Sequence, residues 1–177
     1  MQITKRKIEL GYGEIEAAIA QVLEIKPADV PALRASLRHL RNMGLPDIPN
    51  PGSGRKVPYT TFQAMEMLIA LVLQHGGITS RRAVMMTPDI AHWCVTLEPP
   101  IPLGQCVVIS HTAKEVKMTI LHGLEGFRRY VDFLPADSFF FVNVSSYQLK
   151  LEKALKVRID HKPEWPSEPP SEFQRAE

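Results

Sequence analysis

Residues 46–58, PDIPNPGSGRKVP, hold four prolines and two glycines. No helix interior tolerates that density, because each proline removes an N–H and clashes with the preceding turn. Any fold must break here. A tight hairpin fits, with Gly52 and Gly54 permitting the turn and Arg55, Lys56 and Tyr59 on its return side. Further breaks fall at Pro27, Gly44, Gly76-Gly77 and Pro88. The N-terminal half is thereby limited to short helices.

The hydrophobic spacing between those breaks is helical. Residues 14–23, EIEAAIAQVL, place Ile15, Ala18, Ile19 and Val22 at i, i+3, i+4 and i+7, one buried face. A second helix is predicted over 30–43. Asp29 is its N-cap, Pro31 lies in its first turn, and Gly44 is its left-handed stop. Leu33, Leu37 and Leu40 form its apolar stripe. Arg34, Arg38 and Arg41 fall at i, i+4 and i+7, within roughly 60° of arc. Thr60 or Thr61 caps an apolar helix, FQAMEMLIALVLQ, that ends at Gly76-Gly77. Thr79 or Ser80 caps a short fourth helix, RRAVMM, before Pro88.

After Pro88 the pattern changes. Residues 94–110 contain three prolines and the run Val107-Val108-Ile109, which predicts extended chain. Residues 112–130 are compatible with a helix, with Val116, Ile120, Leu121 and Leu124 roughly on one face. Residues 138–144, SFFFVNV, predict a buried strand, and a helix follows from Ser145 or Ser146 to about Lys156. The Phe139-Phe140-Phe141 run reads as core or as an oligomer interface. The expected fold class is α+β, in three parts. Residues 1–90 form a unit of short helices and 91–160 a small α+β unit for dimerisation or effector reception. Residues 161–177 form a proline-rich disordered tail.

Composition enters mainly through charge. The net charge is only +2. Yet residues 34–56 contain five basic groups and a single acid, Asp47. So local an excess suits a nucleic-acid footprint, although a solvated helix face has the same composition. No apolar run reaches the roughly 18–20 residues of a membrane span. The N-terminus has no signal-peptide core, and Cys94 and Cys106 fit a reducing compartment. A cytoplasmic protein without membrane association is expected.

Residues 13–86 resemble the DNA-binding domain of the MerR family of winged-helix regulators. LRHLRNMGL at 37–45 is similar to the end of the family's recognition helix, with Arg38, Gly44 and Leu45 matching. GRKVPYT at 54–60 resembles its wing, with Tyr59 matching. HGGITSRRAV at 75–84 is similar to the start of its fourth helix. His39 and Leu40 replace an aromatic pair, and Arg41 stands where an acid is usual. Prolines 88, 99, 100 and 102 oppose the long dimerising helix that follows in MerR regulators. Excision factors of phages and mobile elements share a similar winged fold.

The resemblance implies a winged helix-turn-helix of four short helices and a wing as the DNA-binding domain over 1–90. It also implies a sequence-specific regulator of double-stranded DNA, with helix 30–43 in the major groove and segment 46–59 on the backbone. Arg34 and Arg38 are the candidates for guanine, Arg41 for phosphate, and Arg55, Lys56 and Tyr59 for the wing. So small a footprint implies a homodimer or an array on DNA, with residues 91–160 open to a protein partner. Two alternatives stand beside it: an architectural or excision-type factor, and a protein-interaction module on the same fold. His92, Cys94, Cys106 and His111 match no metal-ligand spacing. Ser110-His111 and Asp89 with His92 lack a triad context, so no cofactor and no enzymatic activity are expected.

Overall fold

Thr60 begins the most apolar helix of the chain. Its hydroxyl accepts from the Gln63 N–H at 3.1 Å, and the Gln63 carboxamide accepts from the Thr60 N–H at 2.9 Å, a reciprocal capping box. The helix that follows, Thr61–His75, is buried from Phe62 to Leu73 except at Gln63. A helix that is apolar all round belongs in the middle of a core. In the computed structural model, residues 9–48, 57–96, 105–111, 116–122 and 138–157 are described. For 93–96, 105–111, 116–122 and 138–141 the description is of the backbone.

The helices are α1 (Tyr12–Val22), α2 (Val30–Asn42), α3 (Thr61–His75), α4 (Ser80–Thr96) and α5 (Val144–Leu155), with a 3-10 turn at Pro27–Asp29 leading into α2. The strands β1 (Gln105–His111), β2 (Val116–His122) and β3 (Ser138–Asn143) form an antiparallel sheet in the order β2-β1-β3. Val107 lies between Ile120 of β2 and Val142 of β3, which sets the register. The described residues are thus mainly helical, with one three-stranded sheet.

Four helices end in the same way. Gly44 (φ 89°) and Gly77 (φ 87°) take the left-handed conformation after α2 and α3. Gly44 N–H donates to the Arg41 carbonyl and Leu45 N–H to the Leu40 carbonyl, both at 3.0 Å. Gly77 and Ile78 repeat this pattern on Gln74 and Leu73. Glu24 (φ 54°) and Lys156 (φ 56°) perform the same turn after α1 and α5 without being glycine.

Two sequence expectations change. The fourth helix does not stop before Pro88 but continues through Thr96. Ile90 and Ala91 are fully buried beyond the proline, and their packing outweighs the lost hydrogen bond. The Thr87 hydroxyl, also buried, donates to the Ala83 carbonyl at 2.7 Å beside the break. The second change is at 116–122, read as part of a helix and found as β2. The alternation Val116, Met118, Ile120 against Lys117 and Thr119 has period two, and pairing with β1 selects it over the helical spacing. Residues 112–115 and 123–130 lie outside the described residues.

Helix α5 packs on α1, and also on α3 and α4. Val142, Val144 and Leu151 join the cluster formed by Ile15, Leu37, Leu40, Leu68 and Ile90. One core therefore runs from α1 to α5, across the boundary expected near residue 90. The Asn143 side chain caps α5 by accepting from the Ser146 N–H at 2.9 Å. Among the described residues no helix is long and apolar enough to cross a membrane. The tail, 161–177, lies outside the described residues.

Candidate nucleic-acid interface

Leu33, Leu37 and Leu40 turn one side of α2 into the core. The flank beside that stripe, about 100° around the helix, is exposed and carries Arg34, Arg38 and Arg41. The Gly44-Leu45 turn follows the C-cap Met43, and the arginines span about two turns in the C-terminal part of the helix. Each has a different restraint.

Arg34 is held by Glu16 of α1. Its Nε donates to Oε2 at 2.8 Å and its Nη2 to Oε1 at 2.6 Å, a side-on bidentate pair. Glu16 is almost buried, while 48% of the Arg34 side chain remains exposed. The hydrogen bonds from Arg34 hold the Glu16 carboxyl below its ordinary value; burial opposes this, and the Arg34 and Arg38 charges reinforce it.

Arg41 is held by aromatic faces. Its guanidinium lies 5.4 Å from the ring centre of Tyr12 and 5.9 Å from that of Tyr59. The two rings pack on each other at 6.2 Å and 50°. Burial raises both phenols above their ordinary value; Glu16 adds to this for Tyr12, and Arg41 opposes it for both. Neither hydroxyl finds a partner among the described residues. A stacked guanidinium keeps its N–H edge free for an anion.

Arg38 lies between them. It is exposed, and among the described residues it forms no hydrogen bond or ion pair. His39 and Asn42 flank it in the open.

Tyr59 requires a correction. It was expected on the surface of the wing, but it is 2% exposed and its hydroxyl is covered. The cause is an antiparallel bridge. Leu10 N–H donates to the Tyr59 carbonyl at 2.8 Å, and Tyr59 N–H donates to the Leu10 carbonyl at 2.9 Å. The bridge ties the segment before α1 to the segment before α3, and the Tyr59 ring lies under Arg41. Arg55 and Lys56 fall outside the described residues.

Sequence reasoning missed Tyr12 and Glu16. Glu16 carried one signal: an acid directly beside Ile15, at the edge of a buried face, requires a partner. Its spacing of 18 residues from Arg34 does not reveal which. Tyr12 carried none, because its neighbour Tyr59 is 47 positions away in the chain. Among the described residues no three His, Cys, Asp or Glu side chains come together. The chain matches no protein-family model and no curated protein sequence.

Proposed function

We propose that the chain is a sequence-specific double-stranded DNA-binding regulator, with α2 as the helix that enters the major groove. The observation that carries this reading is the exposed side of α2, where three guanidiniums are arranged within two helical turns and two are held in place by side chains from outside the helix. A merely solvated face has no need of such restraints, since exposed arginines keep more freedom when unheld. Arg38 is free to approach base edges, and Arg41, stacked on tyrosine, suits a phosphate.

Two features support a winged form of the fold. Helices α1 and α2 pack against each other across the short 23–29 connection. The Leu10–Tyr59 bridge pairs the extended chain that follows the proline- and glycine-rich segment 49–56 with the chain before α1. On this reading Arg55 and Lys56 reach the backbone from that segment, and a second copy supplies the remaining contacts on DNA.

Genome-wide occupancy of the full chain tests this, with Arg38→Ala/Arg41→Ala as control. A regulator gives a few discrete sites near promoters, which disappear in the variant. Coating of long arrays with strong bending would identify an architectural factor instead. Absence of any occupancy dependent on the two arginines would leave the interaction-module reading.

A further inference from the structure

The pairing of Glu16 with Arg34 is unexpected on a face meant for a polyanion. A carboxylate paired with Arg34 and near Arg38 repels phosphate and cancels one positive charge. What it supplies is order. The guanidinium has five N–H groups, and Glu16 engages one on Nε and one on Nη2. The terminal edge, with one N–H from each Nη, stays open. It is the edge that donates two parallel hydrogen bonds to O6 and N7 of guanine. Glu16 is fixed in turn, because α1 is packed against α5 and the carboxylate is nearly buried.

Resting on the DNA-reading function above, we propose that Glu16 is a positioning residue that holds Arg34 as a preset guanine reader. The acid gives up some attraction for phosphate and confers base discrimination at one position. Arg38 and Arg41 supply the charge that this choice removes.

The test uses the full chain and duplexes enriched from a random pool. The enriched sites carry one position at which guanine is required. Replacing that base by 7-deazaguanine, which lacks the N7 acceptor, weakens the wild type about tenfold or more. In Arg34→Lys, which keeps the charge but loses the planar fork, the penalty falls to about twofold. In Glu16→Gln it falls to about threefold, with thermal unfolding reporting the fold. Where Glu16→Gln does not fold, Glu16→Asp, which keeps the charge but draws the carboxylate back from Arg34 by one methylene, takes its place with the same expected loss of penalty. The proposal is overturned if either variant keeps the full penalty. It is also overturned if Glu16→Gln merely binds all duplexes more tightly, since Glu16 then only dilutes the positive face. Loss of all salt-dependent duplex binding in the wild type is a different failure, because it removes the DNA-reading function itself.

Discussion

At the scale of single residues, the helix ends give the sharpest expectations. A Cβ at Gly44 would meet nothing within 4 Å, so Gly44→Ala carries no clash. Its cost is the left-handed backbone alone, about 1–2 kcal/mol in chemical denaturation. Glu24 occupies the same conformation with a side chain, and Glu24→Gly stabilises by about 0.5–1 kcal/mol, since the greater freedom of the unfolded chain offsets part of the relief. Gly44 was legible in the sequence because glycine announces the turn. Glu24 was not, since nothing in its chemistry marks a positive φ.

Glu16 also gives a pH dependence. Its folded value lies below the ordinary 4.5, so its contribution to stability is complete above that pH and disappears as pH falls through the folded value. The difference in Tm between wild type and Glu16→Gln is therefore present at pH 7 and closes as pH falls below 4.5 and through the lowered folded value. Asp89 behaves in the opposite sense. Burial raises its value above 3.8, and acidification relieves the cost of holding it charged. Comparing the variant with the wild type cancels that contribution.

At the scale of elements, α3 depends on its cap. Thr60→Ala removes one half of the capping box and costs about 1 kcal/mol, measured by thermal or chemical unfolding. The existence of α1 and α2 was legible from a period of 3.6 and a following break, and that of α3 from its cap, its apolar run and the Gly76-Gly77 stop. The α5 helix was legible as a helix after β3, but its end at Lys156 carries no such mark. The α4 helix was legible only to Pro88: local propensity argues for a break, and Ile90 and Ala91 override it by burial. The β2 strand was misread because Val116, Ile120 and Leu121 satisfy helical spacing as well as alternation. Its partner β1 decides between the two, and a partner is not a property of the segment.

At the scale of the whole molecule, a single core links α1 to α5. Leu151 is fully buried in it although it lies far beyond the proline-rich 99–102 stretch. Leu151→Ala therefore lowers the stability of the chain as one unit, by about 2–5 kcal/mol, with one unfolding transition seen by every probe. Two transitions, with residues 9–48 unaffected, would mark separate domains. The exposed arginine face of α2 was legible from spacing alone. The architecture that restrains it was not, because Glu16, Tyr12 and Tyr59 reach it from segments that meet only after folding.

Salt-dependent binding to duplex DNA, followed by fluorescence anisotropy, measures the central claim most directly. The account predicts an affinity that falls linearly with salt on logarithmic axes. Arg38→Ala/Arg41→Ala then has a slope smaller by about 0.9 per subunit, from the lost Arg41 phosphate contact, and a lower affinity at every salt concentration, from the lost Arg38 base contact. An unchanged slope and affinity in that variant, with its fold intact, would contradict the assignment of α2 to DNA.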